Sequence, residues 1–176
     1  MTNANDAWPE LPYAAWSDTC ATLHLWTQIV GKIRLVQTPW LNHSWHVTLY
    51  VTPRGLTTSP VPYGHRTFEL EFDFLRHLLV VSVDDGTRRE IDLRPRTVAD
   101  FYAEVMAVLS ELGLEIRVHE MPNEIPDAVP FSSDRAHAAY DREFAERHWR
   151  ALVQVNRVFS AFRSSFLGKC SPVHFF

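Results

Sequence analysis

Residues 22–60 read TLHLWTQIVGKIRLVQTPWLNHSWHVTLYVTPRGLTTSP, passing from a helix-like pattern into a strand-like one. In the first part Leu23, Leu25, Trp26, Ile29, Val30, Ile33 and Leu35 leave no wide polar stripe, which predicts a helix buried on nearly every side. That helix still carries His24, Thr27, Gln28, Lys32 and Arg34, and His43, His46 and Arg54 follow it. Polar and charged groups in an apolar element are costly unless paired, so this stretch is where a site is expected.

Upstream, residues 1–13 read as a polar tail and an anchor, with Trp8 and Tyr13 packing back onto the domain. Pro9 and Pro12 keep the anchor extended, because each disfavours helix in the residue before it. Ser17 or Asp18 is the expected cap of the helix, which then runs to Val36 and ends before Pro39. Gly31 inside it costs about 1 kcal/mol relative to Ala and reads as close packing or as room for a ligand.

Downstream, residues 44–52 alternate. Trp45, Val47, Leu49 and Val51 face one way and His46, Thr48, Tyr50 and Thr52 the other, the pattern of a half-buried strand. Phe68, Leu70, Phe72 and Phe74 alternate with polar residues in a second strand, and Asp85-Gly86 joins two more as a hairpin. Thr97 opens a second helix, and Gly113 stops it. Residues 114–118 read as a short strand and 119–133 as a proline-rich loop, and Asp134 starts a long last helix. The predicted fold is α+β: a buried N-terminal helix, an antiparallel meander of four to five strands, then helix, strand and long helix packed on the sheet. One domain is expected over residues 14–176.

Composition narrows the function. A formal net charge of −4 argues against a general nucleic-acid binder, which needs a basic face. No uncharged apolar run is long enough to span a membrane, and the N-terminus lacks the pattern of a signal peptide. With two cysteines, Cys20 and Cys170, a cytoplasmic location without disulfides is expected.

Five blocks carry a resemblance to a known family: WPELPYAAWSDTCATLHLWTQIVGKIRL, NHSWHVTLYVTPRGLTTSP, FELEFDF with His77, DRAHAAYD, and FRSSFLGKCSPVHFF. Over residues 8–176 the chain resembles a bacterial domain family of unknown function. The resemblance implies no activity, cofactor or substrate. It departs from the family pattern at Ser44, where a second aromatic is expected before Trp45. The family pattern also runs on past SPVHFF, so the chain is expected to be the N-terminal part of a longer protein. Residues 173–176 are then expected to pair along a sheet edge or dock in an apolar groove, beside an uncovered apolar patch.

Three of the nine histidines lie close in sequence to this stretch's polar groups. His24, His43 and His46 are the candidate acid–base residues, since imidazole titrates near neutral pH. The same three are the alternative ligands of a transition metal, a reading ranked below hydrogen-bonding or acid–base use. Gln28, Lys32, Tyr50, Arg54, Thr57 and Arg163 are the candidate ligand-binding residues, with the cations holding a carboxylate or phosphate. Cys20 reads as a small core residue, and His137 with Asp141 as an i,i+4 pair on the last helix. The expected function is binding of a small polar or anionic organic molecule, with acid–base chemistry on it as an extension. The alternative is an interaction module that uses its aromatic surfaces for self-association or to contact a further C-terminal segment.

Overall fold

The computed structural model describes residues 7–176. Helix α1 (Tyr13–Gln37) starts four residues before Ser17, directly after Pro12, whose carbonyl accepts the Ala15 N–H at 2.9 Å. It ends as predicted: Pro39 forces Thr38 into the extended region, and the Thr38 N–H and hydroxyl both return to the Arg34 carbonyl. The helix is buried on most of its circumference, including Trp26, Ile29, Val30 and Ile33, which have no exposed surface.

A six-stranded antiparallel sheet follows: β1 (Tyr50–Val51), β2 (Gly55–Thr57), β3 (Val61–Tyr63), β4 (Arg66–Asp73), β5 (Leu78–Val83) and β6 (Arg88–Asp92). The main order is β1-β2-β4-β5-β6, and β3 pairs with the remaining length of β4. Between β2 and β3 Thr58 keeps the ladder going, its N–H bonding the Leu70 carbonyl and its hydroxyl taking the Leu70 N–H. The Asp85-Gly86 hairpin forms with Gly86 at φ 87°. Phe68, Leu70 and Phe72 turn one face of β4 into the core, where they join Trp26, Ile29 and Ile33 of α1. Helix α2 (Val98–Glu111) adds Phe101, Val105 and Leu109, and Thr97 caps it by accepting the Asp100 N–H.

Three expectations need correction. Residues 44–52 do not form one strand: a 3-10 segment, Asn42–Val47, with His43 at φ 56° and Ser44 at φ 59°, replaces its first half. Left-handed backbone at two non-glycine residues breaks the alternation. Side chains satisfy this segment in place of a neighbouring strand, because Arg34 donates to the Trp45 and Thr48 carbonyls and His46 accepts the Leu41 N–H. Residues 114–118 bury Leu114 and Ile116 yet join no strand: the Ile116 N–H turns back to the Leu114 carbonyl, and the Glu115 N–H goes to the Tyr63 hydroxyl. The last helix, α3 (Arg142–Ser164), is capped by Asp141, not begun by Asp134. Asp134 instead closes its own turn, accepting from the Ala136 and His137 N–H groups and pairing with His137 Nδ1, so His137 and Asp141 do not share a helix.

α3 leaves the body as it proceeds. Ala145 and Trp149 are buried and Trp149 Nε1 donates to the Thr52 carbonyl, but Val158, Phe159, Phe162 and Phe166 are exposed. The chain then returns, and Phe175 exchanges both backbone hydrogen bonds with Leu49 beside β1, the sheet-edge pairing expected of the tail.

Two glycines give opposite forecasts. A Cβ on Gly55 would lie 1.6 Å from the Phe72 carbonyl oxygen, whereas one on Gly31 would meet only ordinary contacts with Val47 at 3.5 and 3.7 Å. Gly55→Ala should therefore cost about 3 kcal/mol or more. Gly31→Ala should gain about 0.5–1 kcal/mol from helix propensity. Urea unfolding of the two variants measures both, and a neutral Gly55→Ala would contradict the close approach of β2 to β4.

Candidate functional site

The face of α1 opposite Trp26 is left uncovered by the sheet and by α2. Trp16, Cys20, Leu23, His24, Thr27, Gln28, Gly31, Lys32 and Leu35 recur on it at helical spacing and form one wall of a cavity of about 560 Å³. The opposite wall comes from distant sequence: Ser44, Val47 and Leu49 of the turn, Leu56 of β2, His148 of α3, and Phe175 and Phe176 of the tail. Asn123 and Glu124 of the proline-rich loop complete the rim.

Polar groups gather at one place on this wall. Gln28 holds the backbone of Asn123 twice, donating to its carbonyl at 2.9 Å and accepting its N–H at 2.9 Å. That fixes which end of the Gln28 amide is nitrogen, so its second N–H points at His24 Nε2, 3.1 Å away. His24 Nε2 is then an acceptor, and in the neutral ring Nδ1 carries the proton. Lys32 Nζ donates to the Asn123 side-chain oxygen at 3.0 Å. Lys32 is only 8% exposed, and burial lowers its ammonium pKa from the ordinary lysine value.

The other half of the cavity is aromatic. His148 lies between Trp16 (ring centroids 5.0 Å apart) and Phe175 (6.4 Å), and burial pushes its pKa below the usual imidazole value. Cys20 lines the same region, and burial raises its thiol pKa, which keeps it protonated and a poor nucleophile at neutral pH. Its place on the wall corrects the reading of Cys20 as a core residue.

Of the candidate acid–base and ligand-binding residues, only His24, Gln28 and Lys32 meet in this cavity. His43 is exposed and packs beside Trp45. His46 is buried, where its Nδ1 accepts the Leu41 N–H at 3.2 Å and holds the turn. Tyr50 lies under the Arg34 guanidinium and beside His174. Arg54 donates through Nε (2.8 Å) and Nη2 (2.6 Å) to buried Asp73, so it is committed to an ion pair. Thr57 donates to Glu69, and Arg163 donates to the Ser171 carbonyl at the base of the tail. Among the described residues no three His, Cys, Asp or Glu side chains gather as a metal ion requires, so His24, His43 and His46 are not assembled as a ligand set.

The stripe Cys20, His24, Gln28, Lys32 was legible as an i,i+4 series and marks the open face of α1. Asn123 carried no such signal, because nothing in a proline-rich loop announces that one residue will share three hydrogen bonds with a helix 91 and 95 positions away.

A protein-family model described as a family of unknown function (DUF5996) matches residues 8–176. No curated protein and no solved structure matches the chain.

His148 makes the cavity wall sensitive to acid. Its folded-state pKa is depressed, so its contribution to stability is full above the unfolded value near 6.5 and is lost as pH falls below it. His77 and His174 shift in the same direction, mainly through burial. The urea midpoint should therefore fall between pH 7 and pH 5, and His148→Phe should reduce that fall without abolishing it. An identical pH slope in the variant would mean that the imidazole is not desolvated there.

Proposed function

The chain belongs to this family of unknown function, and we propose that it binds a small organic molecule with a largely apolar body in the cavity along α1. The observation that carries the reading is the joining of an apolar, aromatic wall to one polar cluster, His24, Gln28, Lys32 and Asn123. Binding sites for small molecules have this composition, with few polar groups fixing orientation within an apolar enclosure, and 560 Å³ lies within their usual size. An acid–base role falls to His24, the one candidate base of the three that lines the cavity. The two cysteines provide the test. Cys20 lines the cavity and Cys170 is exposed in the tail. Saturating 1-decanol or 4-phenylbutanol should slow N-ethylmaleimide alkylation of Cys20 at least about fivefold and leave Cys170 unchanged. Equal rates with and without both alcohols would end the binding reading.

The exposed stripe of α3 favours a second reading, association between copies of this chain. Val155, Phe159 and Phe162 follow one another at steps of four and three on the outer half of α3, the spacing of a helix–helix seam, and exposed Phe166 lies just past its end. Arg157 and Arg163 lie off that seam, so two copies would meet without opposed charges. Sedimentation should show a reversible dimer that Phe159→Ser with Phe162→Ser converts to monomer. A wild-type chain that stays monomeric at high micromolar concentration would remove this reading.

A further inference from the structure

Three cations with largely buried side chains stand out among the described residues, and two of them lie away from the cavity. Arg34, 8% exposed, donates through Nη1 to the Trp45 and Thr48 carbonyls and covers the Tyr50 ring, while its Nε has no partner. The Arg96 side chain, equally buried, meets the Glu104 carboxylate through Nη1 and covers the Phe101 ring, while its Nε and Nη2 have no partner. Lys32 differs. Its ammonium has three N–H donors, and its partner is one neutral amide oxygen, that of Asn123. Among the described residues no carboxylate reaches it within ion-pair distance, although it lines a cavity. A desolvated charge with one neutral partner is an expensive arrangement, and a counter-charge that enters with a ligand removes that cost.

Resting on the cavity reading above, we infer that the ligand is a monocarboxylate with an extended, unbranched apolar body, whose carboxylate is held by Lys32. A single charge fits better than a phosphate: the cavity has no guanidinium fork and no glycine-rich backbone cradle, and Glu124 stands on the same rim. The extended body follows from shape. The lining residues of α1 run from Trp16 to Leu35, roughly 28 Å of helix at 1.5 Å per residue, so the cavity is long for its volume. Away from Lys32 the walls are Trp16, Leu23, Leu49, Leu56 and Phe175, which offer contact to methylene groups and no second charge. His148 at that end is kept neutral by burial, and Cys20 is kept protonated. The carboxylate end is thus distinguished from the chain end by one residue.

Calorimetric titration of the full chain with decanoate, 1-decanol and decyltrimethylammonium, each below its micellar concentration, separates the possibilities. Decanoate is expected to bind about tenfold more tightly than 1-decanol, the ratio that one charge-assisted hydrogen bond supplies, and the ammonium is expected to bind more weakly than either. In Lys32→Met, with folding checked by thermal unfolding, the preference for decanoate over 1-decanol should fall to within about threefold. If Lys32→Met does not fold, Lys32→Gln takes its place, and the wild-type ranking alone already decides. Decanoate and 1-decanol binding equally to the wild type would overturn the carboxylate inference and leave the cavity reading standing. A preference for decanoate that survives in the Lys32 variant would place the carboxylate elsewhere and also overturn it. Failure of all three probes to bind would overturn the cavity reading together with this inference.

Discussion

Trp26 lies with no exposed surface between Phe101 of α2, stacked at 4.4 Å, and Tyr140 before α3, at 5.4 Å. Tyr140 is fixed in turn by His77 Nδ1, 3.0 Å from its hydroxyl. Aromatic pairs of this kind hold a defined offset, and their energy exceeds what burial alone supplies. The consequence here is rotational. Residues two apart on a helix face nearly opposite ways, so fixing Trp26 inward fixes His24 and Gln28 outward. Every later feature of the cavity depends on that setting: a helix rotated by about half a turn would bury Lys32 in the core and offer Val30 to the loop.

The two cations of α1 show how the same penalty is met in two ways. Arg34 lies two positions from Lys32 and faces the segment after the helix. Its guanidinium takes over carbonyls that a strand would have paired, which allows the backbone at His43 and Ser44 to enter the left-handed region. Thr38 adds a hydroxyl bridge between the Arg34 and His46 carbonyls. The turn, the short β1 and the closing of the cavity by Val47 are therefore one consequence of a single buried guanidinium. Lys32, a compact charge with no fork, cannot organise backbone in this way. It reaches the loop instead.

Elements with strong periodicity were legible in the sequence: α1, β4, the Asp85-Gly86 hairpin and α2 all stand close to where the pattern puts them. The failures share a physical cause. Residues 44–48 alternate like a strand, but alternation reports which side chains are apolar and not whether a neighbouring strand exists, and here the partner is Arg34. Residues 114–118 fail for the same reason, with Leu114 and Ile116 buried from an unpaired segment. Asp134 looked like a helix cap and is a cap, but of a three-residue turn that His137 completes. His43, His46 and Arg54 are near the site in sequence and stand apart from it in space. An exposed place beside Trp45 accounts for His43, the bound Leu41 N–H for His46 and the Asp73 carboxylate for Arg54.

The cavity is assembled from pieces that do not touch one another in sequence, and this shapes what it can do. Asn123 is tied to α1 by Gln28 and Lys32 with three hydrogen bonds, while Glu124 beside it adopts a left-handed backbone at φ 59°. On the other side the wall ends in Phe175, held by the two backbone bonds to Leu49, with His174 against the Thr48 hydroxyl at 3.0 Å. Both walls are thus fastened by a few hydrogen bonds to a rigid helix and a rigid strand, while the loop and the tail that carry them pack less deeply. Local opening of such segments costs less than global unfolding. A molecule can enter by loosening either fastening without disturbing the Trp26 stack, and the lysine that holds the loop is the same group left short of a counter-charge.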